Sequence, residues 1–182
     1  MNWKNSNDRY GSLSITLHWL MFILMASVYA SIELRVLFPK GSDPREAMKA
    51  LHFMLGLCVL LLVILRIYAR VSAPSPAIKP ALTYMQNAVA KAGHLVLYAL
   101  MIILPVLGWL TLSAAGKPIP FFGIELPALI TANKALAKTL KELHETIAVV
   151  GYYLIGLHIL AALYHHYFKK DNTLTRILPS KH

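Results

Sequence analysis

Four apolar stretches of this chain, residues 13–32, 50–68, 92–112 and 146–167, contain neither Asp nor Glu. Each is close to the roughly 20 residues that carry a helix across a bilayer core. Hydrocarbon offers no water to the backbone, so such segments must satisfy their own N–H and C=O groups, as helices do. A soluble helical bundle is excluded by the charge content. Only 14% of residues are charged and 57% are hydrophobic, against roughly 25% charged for a typical soluble domain. The expected fold is an all-α membrane protein, a four-transmembrane-helix bundle forming a single domain over residues 1–182, without internal repeats.

The connections fit that reading. Pro39, Gly41, Asp43 and Pro44 separate the first two spans, and Pro74, Pro76 and Pro80 the next two. Gly116, Pro118, Pro120, Gly123 and Pro127 follow the third span. Pro105 lies inside the third span, where it kinks a helix without ending it. The second span is bounded by Lys49 and Arg66, whose side chains are expected to snorkel outward. Residues 129–143 set Lys134, Lys138, Lys141 and Glu142 among leucines and alanines, the pattern of a short amphipathic surface helix leading into the fourth span. The first apolar run is longer than a signal-peptide core and holds His18 and Trp19, so it reads as a retained span.

With four spans both termini lie on one side. Together with the 66–91 connection they carry 10 Lys/Arg and 2 acids, against 8 and 6 for the other two connections. That excess points to cytoplasmic termini. The net charge of +10 suits a membrane surface, and no feature suggests nucleic-acid binding. The lone Cys58 excludes a disulfide framework, and without a C-x-x-C-H motif any haem is non-covalent.

Histidines carry the chemistry. His144, Gly151, His158 and His165 recur every seven residues and drift only about 20° per step around a helix. An imidazole in hydrocarbon needs a partner, which makes it a functional-site hypothesis. His144 and His158 lie about 21 Å apart along a helix axis, as two stacked centres require. Topology puts His18 near the cytoplasmic face, His52 and His144 near the outer face, and His158 deeper. The consistent pairs are His52 with His144 and His18 with His158, although by depth His165 competes for the inner site. The bland alternative is four histidines each bonded to a neighbouring carbonyl. His165 and His166 read as rim residues, His94 as interfacial, and His182 as uninformative.

Two histidines per site leave zinc short of its usual four ligands. Cation transport usually needs intramembrane carboxylates, which are absent. His144-Glu145 begins an H-E-x-x-H metalloprotease pattern, but Ala148 takes the second histidine's place. Haem iron suits one imidazole from each side, with the macrocycle inside the bundle. Gly151, Gly56, Ala148 and Ala162 are expected to make room for it. Iron with both axial positions taken moves electrons and does not bind oxygen.

At this point the chain resembles the bacterial cytochrome b561 family of small di-haem membrane proteins, over nearly its whole length. The likeness is carried by S-I-T-L-H-W-L around His18, by the run from Leu143 to His158, and by H-H-Y-F-K-K-D-N-T-L from His165 to Leu174. A-G-H-L-V-L-Y from Ala92 to Tyr98 and F-P-K from Phe38 to Lys40 add to it. The resemblance implies two haem b groups with iron ligands at His18, His52, His144 and His158. It also implies exchange of electrons with quinone and, in some members, oxidation of superoxide at the outer face with ubiquinone as acceptor, in a bacterial inner membrane.

The expected activity is therefore an oxidoreductase passing electrons from an outer donor, superoxide foremost, to ubiquinone. The competing readings are an electron-relay subunit for a separate dehydrogenase and a non-redox metal-binding membrane protein. Expected quinone contacts are His94, Lys91, Arg66 and Arg70, with Trp19 as an apolar wall. Lys138 and Lys141, among the outer cations, are expected to steer a small anion. Membrane lipid is an expected partner. A homo-oligomer and a docked redox partner are both compatible with the sequence.

Overall fold

The computed structural model describes residues 3–179; His182 lies outside the described residues. Four helices dominate: α1 (Ser12–Leu34), α2 (Asp43–Val71), α3 (Tyr84–Ala114) and α4 (Lys134–Tyr164). All four are long and apolar enough to cross a membrane. A 3-10 turn over Arg35–Leu37 ends α1, and a π-helical turn over His165–Lys169 follows α4.

Local sequence explains the boundaries. Pro44, Asp43 and Glu46 open α2 with the residue types that a helix N-terminus favours. Thr83 and Gln86 form a reciprocal capping box that starts α3 at Tyr84. Asn133 caps α4, its side chain accepting from the Leu136 N–H at 3.0 Å. Pro105 sits inside α3 without ending it.

Two elements differ from expectation. The 129–143 stretch is not a separate surface helix: from Lys134 onward it forms the first turns of α4. No proline interrupts Lys134–Tyr164, and at 1.5 Å per residue the 31-residue helix is about 46 Å long, well beyond a bilayer core of about 30 Å. The second is a β-hairpin after α3, pairing β1 (Ile119–Phe121) with β2 (Ile124–Leu126). Phe122 and Gly123 turn it with φ of 46° and 89°, the positive values of a tight two-residue hairpin turn. Ile119, 2% exposed, packs the hairpin onto Leu57 and Leu112.

Consecutive helices pack side by side, around a central core of Met21, Val59, Val63 and Met101 from α1, α2 and α3. Among the described residues the backbones of α1 and α4 do not approach closely. Side chains bridge the seam. The Tyr29 hydroxyl donates to the Ala148 carbonyl at 3.0 Å, and the Tyr152 hydroxyl donates to Glu33 at 2.9 Å. The two tyrosine rings lie 4.2 Å apart. Leu61, Ile64, Leu65, Leu157 and Leu160 face outward, as lipid contact requires.

Gly151 is the buried residue of α4, and its role differs from the room for a macrocycle expected of it. A Cβ there would run into the Tyr29 hydroxyl and Leu100. Its missing side chain admits Tyr29 and so closes the seam. Gly151→Ala should overpack this contact and destabilise the protein by about 1–3 kcal/mol. Thermal unfolding in detergent measures the loss, and adding Tyr29→Phe should restore much of it.

Candidate functional site

Four imidazoles meet in two pairs. His52 of α2 and His144 of α4 face each other near the hairpin end, with ring centroids 6.1 Å apart and planes at 74°. His18 of α1 and His158 of α4 face each other near the end that carries the termini, at 6.4 Å and 64°. The depth match is structural. His52 and His144 lie about nine or ten residues into helices that start at the same face, and His18 and His158 each lie six residues from their helix ends. The structure thus brings together all four residues that the sequence paired.

Each ring is oriented differently. The His52 Nδ1 sits 3.0 Å from the Val28 carbonyl; it donates there, which leaves Nε2 as a lone-pair nitrogen. That is the arrangement a metal-binding imidazole needs. The His144 Nδ1 is buried without a hydrogen-bond partner. A Cβ at Gly108 would stand 3.6 Å from this ring, whereas one at Gly56 would meet nothing within 4 Å. Gly108 is therefore a neighbour of the site that the sequence reading missed, and its spacing on α3 offers no signal for it. Gly56 keeps the open space expected of it.

At the other pair, Arg66 corrects the sequence reading. It does not snorkel outward; its Nη2 donates to the His18 Nδ1 at 2.8 Å, and its Nη1 is buried and unpartnered. An inward acceptor was available, and α2 continues for five residues beyond Arg66, to Val71. His94 is likewise not at the rim. Its centroid lies 5.6 Å from that of His158, because α3 starts at Tyr84, ten residues earlier, instead of near Ala92. The His94 Nδ1 donates to the Ala90 carbonyl at 2.7 Å.

His165 does not compete with His158. Its Nδ1 lies 2.5 Å from the carboxylate of Asp171, whose side chain is 3% exposed. The remaining candidates are more peripheral. Lys91 and Arg70 are exposed. The Trp19 Nε1 donates to the Ile177 carbonyl at 2.9 Å, so it is more than an apolar wall. Lys138 and Lys141 are exposed and already paired along α4, with Glu142 at 3.8 Å and Glu145 at 3.0 Å. At the hairpin end, immediately after α1, Arg35 has its Nε buried without a partner.

Fold and site together define a multi-span membrane protein with two stacked pairs of imidazoles. Comparison with known proteins sharpens this. Residues 9–180 match the family described as prokaryotic cytochrome b561. "Probable superoxide oxidase CybB" of Yersinia pestis is 42% identical over 175 residues, covering 96% of this chain and 98% of that protein. "Cytochrome b561 homolog 1" of Escherichia coli (strain K12) is 36% identical over 174 residues, covering 96% and 99%. "Cytochrome b561 homolog 2" of the same organism is 32% identical over 179 residues, covering 98% and 95%. The chain belongs to the prokaryotic cytochrome b561 family. It is therefore a membrane electron-transfer protein, and its family implies b-type haem.

The His165–Asp171 pair pins the segment after α4. Burial alone would raise the Asp171 carboxyl, but hydrogen bonds from His165 and Thr173 outweigh it and hold the group below its ordinary value. A depressed carboxylate contributes stability above its unfolded value, near 3.9, and loses it as pH falls through the folded one. Asp171→Asn should therefore unfold at lower temperature than the parent protein at neutral pH. Thermal unfolding measured at decreasing pH should show the difference closing only below about pH 4.

Proposed function

We propose that the protein holds two haem b groups, one between His52 and His144 and one between His18 and His158, and relays single electrons across the membrane. The donor is a one-electron reductant at the hairpin face, superoxide foremost, and the acceptor is ubiquinone. The domain is a single bundle in the bacterial inner membrane, with cytoplasmic termini. The observation that carries this reading is the spacing of the rings. A metal–imidazole bond is about 2.0–2.1 Å, so two rings sharing one metal, each centre about 1.2 Å behind its nitrogen, would have centroids about 6.4–6.6 Å apart at most. The observed 6.1 and 6.4 Å fit. The His94–His158 distance of 5.6 Å fits less well, which favours His18 as the partner of His158.

Further support comes from chemistry. Among the described residues no three His, Cys, Asp or Glu side chains converge to hold a bare metal ion, which weighs against the non-redox metal-binding reading. Haem held by these two histidine pairs would supply one-electron exchange. The chain's residues do the rest. Val28 fixes the His52 tautomer, and the apolar core of Met21, Val59, Val63 and Met101 excludes water between the two levels. Oxidising two superoxide anions to oxygen releases two electrons, which with two protons convert one quinone to quinol. The relative named a probable superoxide oxidase motivates the choice of donor. On the acceptor side, His94 is the quinone contact, with Lys91 and Arg70 beside it, because Arg66 turns inward toward the ring pair.

Two sets of measurements test this. Haem content per chain should be two. His52→Ala or His144→Ala should remove one haem, and His18→Ala or His158→Ala the other. His94→Ala should keep both haem spectra and slow quinone reduction. Loss of a haem in His94→Ala with retention in His18→Ala would reverse the inner assignment. Turnover of the purified chain with superoxide and a quinone separates an oxidoreductase from a relay subunit, which would show none. The superoxide rate should fall as salt rises, because at 0.1 M the field reaches only about 10 Å. Reversing Lys138 and Lys141 to Glu should lower it with haem content unchanged, whereas a salt-independent rate points to a neutral donor or a docked protein.

A further inference from the structure

The segment after α4 folds back over the pair formed by His18 and His158. Trp19, next to His18, donates to the Ile177 carbonyl, and Arg9 donates to the Leu178 carbonyl at 2.8 Å. Asn172 is tied to the connection between α2 and α3. Its N–H donates to the Lys79 carbonyl at 3.1 Å, and its Oδ1 accepts from the Lys79 N–H at 2.8 Å. Residues 171–178 therefore form a strap over the terminal end of the bundle. Within it, Arg176 points inward: it donates to the Pro76 carbonyl, and its guanidinium lies 5.6 Å from the Tyr10 ring centre. Its Nε is buried with no partner.

Arg176 joins two other arginines. Arg66 and Arg70 lie one turn apart on α2 and Arg66 donates to His18, while Ile177, the neighbour of Arg176, accepts from Trp19, whose ring lies 5.3 Å from that of His18. Asp171, in the same segment as Arg176, has its oxygens taken by His165 and by the Thr173 N–H. Two buried guanidinium nitrogens, Arg66 Nη1 and Arg176 Nε, thus lack acceptors. A buried unpaired donor on a charged group is costly, so two of them together suit an anion.

Arg66 would have to leave His18 if that ring were to hold iron. A guanidinium carries only donors, so the His18 Nδ1 accepts and the neutral ring keeps its proton on Nε2. Ligation through Nε2 needs that proton on Nδ1, and ligation through Nδ1 needs that nitrogen vacated. Either way Arg66 loses its acceptor at the moment the site fills. Haem brings two carboxylates of its own.

We propose that Arg66 and Arg176 are the two jaws of a clamp for the propionates of the haem held by His18 and His158, so that haem seats the 171–178 strap. The inference rests on the proposed ligation at that pair. It makes the strap a closure that locks after haem enters: Arg66 trades His18 for a carboxylate, and Arg176 fastens the strap to the same group. The same two donors would also accept a lipid phosphate, and the test separates the sources.

The test compares hydrogen exchange of residues 171–178 in the two-haem protein, in His18→Ala, and in protein reconstituted with haem dimethyl ester. It also follows haem transfer to apomyoglobin. Free-acid haem should slow strap exchange about tenfold or more, and Arg176→Ala should speed loss of this haem by a similar factor, the effect of one charge-assisted hydrogen bond. Arg176→Lys should recover part of both effects, and the haem between His52 and His144 should be unaffected. Equal protection by the ester overturns the clamp. Recovery of protection in His18→Ala by anionic phospholipid alone overturns it in favour of lipid phosphate. A His18→Ala protein that still binds two haems refutes the ligand assignment itself, a failure seen in the absorption spectrum before any exchange is measured.

Discussion

An imidazole in hydrocarbon must find a partner, and the arrangement of this bundle follows from that constraint. Four histidines sit half-buried within apolar helices. Their helices are therefore set so that the rings face one another in two levels, His52 with His144 and His18 with His158. α4 contributes one ring to each level, which places the levels fourteen residues, or about 21 Å, apart on one axis. The loose α1–α4 seam belongs to the same logic. Two backbones held apart leave room for paired side chains, and Gly151 lets Tyr29 cross the gap.

The periodicity of apolar residues made the four spans legible, because membrane helices announce themselves by length and by the absence of acids. The histidine pairs were legible because chain direction alternates with each span and so converts residue number into depth. What sequence reasoning lost was inward-turning chemistry at helix ends. Arg66 reads as a snorkelling cation from composition alone, yet it turns toward His18, since a buried acceptor lies closer than the interface. His94 reads as interfacial because the apolar run starts near it, whereas the Thr83–Gln86 cap starts α3 earlier and sinks His94 beside His158. The hairpin after α3 was hidden by prolines that suggested only a loop, and Gly108 by the lack of any pattern linking it to His144.

The two ends of the bundle present different surroundings. At the hairpin end the ring pair is close to surface cations, and Arg35 has a buried nitrogen without a partner. At the terminal end Arg66 and a third histidine, His94, lie against the ring pair, and the strap made from the last described residues adds Arg176. The proposed anionic donor at one end and the proposed quinone at the other would meet these different environments in turn. The apolar middle, built on Val63 and its neighbours, keeps water from the path between them.

The claim on which the account stands is that both histidine pairs are iron ligands. Electron paramagnetic resonance of the fully oxidised protein tests it most directly, because low-spin ferric haem with two axial imidazoles is distinguishable from any five-coordinate form. The account predicts two low-spin signals that together integrate to two haems per chain, with no high-spin component. A single low-spin signal integrating to one haem, or a stoichiometric high-spin signal, would contradict it.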